Sequence, residues 1–474
     1  MRRVGAMTTR PPPRIGFIVD HPKRDLPGAI MVAHALAIRD IETALVPLYE
    51  QAVDVPLLGL DGLVLNYARA ANRELVEGFH AEDLPMWVLD TEGGVLAERG
   101  ANAPDTLATY VAESGYGGML TGYFFWGSRL HEAFLRRSGM SPRQLHVTGC
   151  PRFDYAAPRW RDVLTHDRRD FVLANSNFPL VNPRFARSPD KELQALAKAG
   201  WDRDYSLRLL DDTRAIFHNF METIGLLASK FPNRTFLVRP HPFEDTAPYQ
   251  AKFAEMPNVV VDGRGSVLRA IRNAACILHV NCATSIDALL LEKVPFSMEF
   301  LNTPHVSQHS PLPARVSRAT DSFEELCSAL EDVEGESKRF EFARVHASVV
   351  QPWFHLNDGN AGERVASVLA EHVATRPRRR SLSVLRSLAA SRRRPRLVQR
   401  MQAFASNVVG SRVASALRAG VQPQRRDKAF HVAEVAEGLA GLARHSGRPA
   451  PSAVAARHPL TRVPLASILV RPPS

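Results

Sequence analysis

Thr235-Phe236-Leu237-Val238-Arg239-Pro240-His241-Pro242 and, further on, Asn281-Cys282-Ala283-Thr284-Ser285-Ile286-Asp287-Ala288 are the two stretches whose reading decides the fold. In the first, Phe236, Leu237 and Val238 form a short apolar run suited to a buried parallel strand. Pro240 and Pro242 stop it and keep the residue before each in extended geometry. His241 is therefore expected on a stiff loop at a strand's carboxyl end, where open α/β sheets bind ligands. In the second, Cys276-Ile277-Leu278-His279-Val280 reads as another buried strand and Ile286 to Glu292 as the helix after it. Thr284 and Ser285 then fall at a helix N-terminus, where unpaired N–H groups and the helix dipole favour a phosphate. A Ser or Thr there also serves as an ordinary N-cap, and a buried histidine also serves packing. Two such strand ends in one βα array make a nucleotide-phosphate cradle the expectation. Asp287 adds a carboxylate able to accept from ribose hydroxyls.

The same alternation runs through the rest of the chain. Strands are expected at 15–19, 43–48, 62–66 and 86–89, with an apolar helix over 28–39; the loops carry Asp20-His21, Asn66-Tyr67 and Asp90 to Gly94. Repeated βα units imply a parallel, doubly wound sheet with function at the strand carboxyl ends. Tyr123-Phe124-Phe125-Trp126 reads as a buried strand with one exposed Trp, the alternative being a platform on which sugars stack. Charged sequence over about 155–170 marks a domain boundary. The second lobe opens at Phe171-Val172-Leu173-Ala174, ends that strand in Asn175-Ser176-Asn177, and passes through a partly polar helical region over 189–231. No internal repeat is visible.

At 474 residues the chain exceeds what one core normally supports, so two domains are expected. Hydrophobic content of 45% and charged content of 23% are ordinary globular values, and no apolar run is long enough to span a membrane. The N-terminus is basic without an apolar stretch before Ile15, which does not read as a secretory signal, and Met7 is an alternative start. Cys150, Cys276, Cys282 and Cys327 lack paired metal-ligand spacing; a reduced, cytoplasmic interior is the simplest account. The net charge of +11 divides unevenly: residues 376–474 hold 20 Lys/Arg against 3 Asp/Glu, a net of +17, which leaves −6 for the first 375. Leu382, Val384, Leu385 and Leu388 with Arg386 and Arg392 to Arg394 fit a short basic amphipathic helix of the kind that lies on anionic lipid headgroups. A solvated extension is the plain alternative. Nucleic acid, a third, is not expected, because the body is acidic and carries no recognition motif. The Pro/Ala/Ser/Arg-rich end is expected to stay disordered.

At the RPHP strand end, the Ser/Thr-rich helix start followed by Asp287, and Lys293-Val294-Pro295, the sequence resembles the donor-binding lobe of GT-B glycosyltransferases. It is most similar to bacterial surface-carbohydrate and capsule biosynthesis proteins, with non-hydrolysing sugar epimerases and polyol-phosphate polymer transferases further off. Lys23-Arg24-Asp25-Leu26, Asp90-Thr91-Glu92-Gly93-Gly94, Gly149-Cys150-Pro151-Arg152-Phe153-Asp154, Asn175-Ser176-Asn177-Phe178, Trp353 and Asp358-Gly359 fit that group. The resemblance covers about 14–373 and extends towards a short helix near 427–444. Asp287, Cys150 and Glu292 depart from it, standing where Glu, Asn and Gly are more usual. The implied architecture is two Rossmann-like doubly wound lobes facing across a cleft: 14–160 on the acceptor side, 168–345 on the donor side, a crossover helix in 346–375, and a basic, helical or disordered tail over 376–474.

The resemblance implies transfer of a sugar from a nucleotide-sugar to a glycan or lipid-linked acceptor in cell-surface polysaccharide biosynthesis. No cofactor or metal beyond the donor substrate is expected. The enzyme would work in the cytoplasm, peripheral to the inner membrane face, whose anionic surface the tail would meet. Donor phosphates and ribose would be met by Arg239, His241, Asn281, Thr284, Ser285 and Asp287, with His241 acting either as a neutral donor or as a protonated counter-ion. The carboxylate that takes the acceptor proton, or acts as nucleophile, is expected to be Glu92, then Asp25, then Asp154; Gly93 and Gly94 allow close backbone approach beside Glu92. Arg24, Arg152 and Asn177 would face a phosphate or the acceptor. Arg152 has an alternative, an ion pair with Asp154 or across the lobes. Two other readings stay open: a UDP-sugar 2-epimerase, which would need compact acid/base pairs, and a non-catalytic polysaccharide-assembly protein.

Overall fold

A computed structural model describes residues 12–93, 103–164, 170–185, 193–194, 202–375 and 424–473. Its strands, in chain order, are β1 Arg14–Val19, β2 Glu42–Pro47, β3 Gly62–Leu65, β4 Met86–Leu89, β5 Gly122–Phe125, β6 Leu145–Val147, β7 Phe171–Asn175, β8 Thr235–Arg239, β9 Val259–Val261, β10 Cys276–His279, β11 Pro295–Met298, β12 Arg318–Thr320, β13 Ser452–Arg457 and β14 Pro464–Arg471. The helices used below are α1 Pro22–Ala37, α2 Arg203–Lys230, α3 Thr284–Leu290, α4 Ala361–Ala374 and α5 Val432–Ser446. They form two sheets, ordered β13-β14-β2-β1-β3-β4-β5-β6 and β12-β11-β10-β7-β8-β9.

The second sheet is parallel throughout. Read by chain position its order is third, second, first, fourth, fifth, sixth, that of a doubly wound nucleotide-binding sheet, and the order reverses between β7 and β10. In the first sheet β1 to β5 pair in parallel, with the reversal between β1 and β3. The two Rossmann-like sheets expected from the sequence are therefore present. The chain folds as two compact units, Met1–Thr91 with Gly118–Phe124 and Gly362–Ser474, and Glu92–Gly117 with Phe125–Ala361. Residues 92–117 and 125–160 thus group with the second unit.

Core formation in the second unit follows from spacing. Ile216, Phe220, Ile224 and Leu227 recur along one face of α2 and are buried with Val172, Ala174, Phe236 and Val238 of the sheet. Each such side chain contributes about 1.5–3 kcal/mol when fully buried. In the expected helical region, 186–192 and 195–201 lie outside the described residues apart from 193–194, and α2 begins at Arg203.

Three local expectations are corrected. The helix placed at 28–39 starts six residues earlier, because Pro22 sits at its first position and His21 caps it by accepting from the Lys23 N–H. Trp126, expected to be exposed, is buried, edge-on to Phe153 and tilted against Phe354. The pattern could not show that partner, since Phe354 lies far along the chain. The Pro/Ala/Ser/Arg-rich end, expected to stay disordered, forms the hairpin β13–β14, with β14 antiparallel to β2, and the helix expected near 427–444 is α5. Leu465, Ile468 and Val470 are buried there, and Gly438 of α5 lies against Ile30 of α1. Pairing with β14 satisfies the otherwise open edge of β2, an energy that composition does not register. The amphipathic segment at 382–394, Gly94 and Met7 lie outside the described residues.

Candidate functional site

The reversal in the second sheet gathers three strand ends. Asn175 closes β7 and is in register with His279 of β10 on one side and Arg239 of β8 on the other. The loops that follow carry Ser176-Asn177, Pro240-His241 and Asn281-Cys282, so the two stretches singled out from sequence do meet at one place. Asn175 Nδ2 donates to Thr284 Oγ1 (2.8 Å), and Asn177 Nδ2 donates to the Asn281 carbonyl (3.2 Å). Asn281 adopts a left-handed φ of 51°, a conformation Asn tolerates better than most residues, and its Nδ2 donates to the Val306 carbonyl (2.6 Å). Asn175 Oδ1 and Asn281 Oδ1 are buried and accept no hydrogen bond from the described residues. Buried polar atoms are usually paired, and both of these belong to strand ends beside one switch point.

The sequence-predicted donor residues divide into those that line this place and those that build it. His241 is half-buried; Phe243 N–H donates to its Nδ1 (3.2 Å). A ring nitrogen that accepts cannot carry the proton, so the neutral ring holds it on Nε2 and presents a donor there. Arg239 is buried, and its guanidinium donates to the carbonyls of Arg264 (2.7 Å) and Gly265 (2.5 Å), fixing the loop after β9. Ser285 is fully buried, its Oγ directed to the Pro313 carbonyl (3.4 Å). Neither hydroxyl caps α3: its N-cap is Ala283, without a side-chain bond. Cys282 Sγ lies 3.1 Å from Thr284 Oγ1, and burial pushes its thiol up to about 11.

Asp287 is buried and paired with Arg152 (3.4 Å). Burial raises its carboxyl above the usual range, and the Arg152 charge opposes that. Arg152 lies over the Phe153 ring, 4.4 Å from its centroid. The ion pair weighed for Arg152 therefore exists, with Asp287 as its partner. Asp154 instead accepts from the Ala361 N–H (2.9 Å) at the start of α4.

The acceptor-side residues fall elsewhere. Glu92 is exposed on the turn after β4, with Gly93 buried beside it. Arg24 and Asp25 belong to the first unit, in the first turn of α1. Arg24 pairs with Asp25 (2.8 Å) and Asp20 (3.2 Å), and Asp25 Oδ2 accepts from the His21 N–H (2.9 Å). Burial raises Asp25, with Arg24 opposing, while burial, Arg24 and Lys428 together lower His21 to about 4.

Lys428 was not foreseen. It reaches Asp20 from the C-terminal segment, and Arg425 pairs with Glu50 (2.6 Å) beside it. No local signal could have placed them at the ends of β1 and β2. Glu244 was missed as well, although it lies only two residues past the quoted Thr235–Pro242; four hydrogen bonds converge on its buried carboxylate. Among the described residues no group of three or more His, Cys, Asp or Glu is placed to hold a metal ion. Asp202-Arg203-Asp204 forms an Asp-x-Asp triplet, but Asp202 caps α2 by accepting from the Tyr205 N–H (2.8 Å). No described helix is long and apolar enough to cross a membrane.

No protein-family model matches the chain. No curated protein matches it in sequence. Among solved structures it is similar to the UDP-GlcNAc 2-epimerase of Methanocaldococcus jannaschii in complex with UDP-GlcNAc and UDP, at 11% identity and a TM-score of 0.46, over 76% of this chain and 99% of that one. The UDP-GlcNAc 2-epimerase of Neisseria meningitidis bound to UDP-GlcNAc gives 10%, 0.46, 76% and 99%. The wall teichoic acid polymerase TagF gives 9%, 0.46, 77% and 90%. The fold assignment rests on the strand order described above.

Proposed function

We propose that this chain is a GT-B-like enzyme that binds a nucleotide-sugar where the second sheet reverses and transfers the sugar to a glycan or lipid-linked acceptor of a surface polysaccharide. One observation carries the reading: the two unmatched amide oxygens of Asn175 and Asn281 lie at the strand ends flanking that reversal, with the His241 loop on the next strand over, and this is the position at which doubly wound sheets bind nucleotides. His241 Nε2–H donates to a donor phosphate. Asn175 and Asn281 accept from ribose or base, Thr284 and the Val306 carbonyl hold the two side-chain amides in place while Asn177 holds the Asn281 backbone, and Asp287 serves through Arg152 more than through ribose. Glu92 is the carboxylate that takes the acceptor proton; Asp154 holds the start of α4. The charge that develops on the departing nucleotide is met by fixed N–H donors, which need no reorganisation during reaction.

A second reading, epimerisation at C2 of a nucleotide-sugar, is favoured by one feature. His21 and Asp25, a base with a lowered pKa and an acid with a raised one, sit within one turn of each other at the end of β1. Calorimetry with UDP-, CMP-, GDP- and CDP-sugars tests the shared premise, for which saturable binding of at least one is expected. Proton NMR of UDP-GlcNAc incubated with the enzyme then separates the readings. A new 2-epimer without acceptor supports the second, whereas release of nucleotide only with added acceptor supports the first. Absence of binding to all four classes would sink both.

A further inference from the structure

Glu244 is 1% exposed, and every partner it has in the site is a donor. Its Oε1 accepts from the Ser176 hydroxyl (2.7 Å), the Phe178 N–H (3.0 Å) and the His241 N–H (3.0 Å), and its Oε2 accepts from the Tyr249 hydroxyl (2.5 Å). The two backbone N–H groups can only donate, so the side chain here must bring an acceptor oxygen; a glutamine of the same shape keeps Oε1 on them and turns its NH2 group to the Tyr249 hydroxyl, which must then accept instead of donate. Ser176 and Phe178 belong to the loop after β7, and His241 belongs to the loop after β8. One buried side chain therefore joins the loop after β7, which borders the reversal, to the loop after β8 beside it.

The same loops are paired further out. Arg184 N–H donates to the Phe243 carbonyl (2.8 Å) and Asp245 N–H to the Asn182 carbonyl (3.0 Å), around an antiparallel bridge between Pro183 and Glu244. Asn182 Nδ2 adds a bond to the Asp245 carbonyl (2.7 Å). Phe178 anchors the assembly on α2 through the rings of Phe217 and Phe220, each at 5.4 Å. The two loops are thus one braced body that carries Asn177 and His241.

Packing alone does not account for a carboxylate here. Burial pushes Glu244 above the usual carboxylate range, and apolar residues often replace buried charges without loss of stability. What an apolar residue cannot do is hold the backbone N–H groups of residues 178 and 241 at fixed positions. We propose that Glu244 is the positioning residue of the nucleotide site: it locks the loops after β7 and β8 together so that His241 presents Nε2–H to the ligand. The proposal rests on the nucleotide-site reading above and deepens it.

The test uses the full-length protein, Glu244→Gln and Glu244→Ala, with UDP as probe. Two quantities are read: the UDP dissociation constant by calorimetry, and the His241 ring nitrogen shifts, assigned with His241→Gln. In the wild type the shifts should report a neutral ring protonated on Nε2. Glu244→Ala should weaken UDP binding at least tenfold and shift His241 towards a mixture of tautomers, while Glu244→Gln, which keeps the acceptor oxygen, should fall between it and wild type. Binding by Glu244→Ala within twofold of wild type, with an unchanged His241 signature, overturns the proposal. If the Glu244 variants do not fold, Ser176→Ala and Tyr249→Phe each remove one donor, and both should displace the His241 shifts; unchanged shifts in both overturn it equally. If the wild type binds no UDP, the site reading is at fault, and the His241 shifts still decide whether Glu244 positions the ring.

Discussion

Asn175 Nδ2 donates to Thr284 Oγ1 at 2.8 Å, tying the end of the first strand of the second sheet to the first turn of the helix after its fourth. This bond fixes the amide whose oxygen has no partner among the described residues. Thr284→Val keeps the shape and removes the acceptor, so it should weaken nucleotide-sugar binding about tenfold, a difference of about 1.4 kcal/mol. Ser285→Ala should leave affinity unchanged, because that hydroxyl points to the Pro313 carbonyl. Calorimetry on both variants checks the contrast, and equal losses would remove Thr284 from the site.

Arg152 and Asp287 should behave as a coupled pair. Removing one partner leaves a buried charge uncompensated, so Asp287→Ala and Arg152→Ala are each expected to cost about 3 kcal/mol in urea unfolding. The double variant should cost less than their sum by at least about 1 kcal/mol. Strict additivity would mean that the 3.4 Å contact contributes nothing.

Glu92 and Asp154 should separate by readout. Glu92→Gln is expected to abolish turnover with donor affinity kept, since it removes a proton acceptor on an exposed turn and preserves shape. Asp154→Ala should cost about 1–2 kcal/mol of stability, as loss of an acceptor at a helix start does. Unchanged turnover in Glu92→Gln would pass the role to Asp25.

His279 predicts an acid limb in stability. It is fully buried, its Nδ1 accepts from the Cys282 N–H (3.3 Å), its Nε2 faces Ser317 Oγ (2.8 Å), and burial lowers it from 6.5 to about 3. Between those values the unfolded chain binds a proton that the folded one does not. Stability therefore rises with pH across the window, is fully present above about 6.5, and falls as the pH drops towards 3. The buried carboxylates raised by desolvation titrate in the opposite sense, so the clean quantity is the difference between wild type and His279→Gln. That difference should change by on the order of 4 kcal/mol over the window. Parallel stability curves for the two proteins would remove His279 as the cause.

The C-terminal segment divides into two testable parts. Truncation after Thr375 would strip β14 from β2 and remove Lys428 and Arg425, so it should yield an unstable, aggregating protein. Replacing only 376–423, which holds twelve Arg and no Asp or Glu, with a Gly/Ser linker of equal length should preserve folding. If this stretch tethers the enzyme to anionic membrane, the replacement should lose co-sedimentation with phosphatidylglycerol vesicles, at about 1 kcal/mol per Arg near the surface. Equal sedimentation of both proteins would locate any membrane contact elsewhere.

The sequence by itself determined the strands and the two places where they end in chemistry. Phe236-Leu237-Val238 before Pro240 and Cys276-Ile277-Leu278 before Asn281 are local signals, carried by apolar runs and by proline's fixed backbone, and they survive without knowledge of any partner. Tertiary structure decided which side chains at those ends are engaged by the protein itself. Arg239, Ser285 and Asp287 have the right chemistry for phosphate and ribose, yet they are turned to carbonyls and to Arg152, partners 25 to 135 residues away. Glu244 was invisible for the converse reason: next to a proline-rich turn it reads as a solvated acid, and only the convergence of two loops buries it. Lys428 and β14 show the same limit at larger scale. Their composition describes a soluble basic extension, whereas an open strand edge far earlier in the chain supplies the pairing that folds them. Local sequence fixes backbone preference within a few residues; the direction and protonation of a side chain depend on neighbours that only folding brings near.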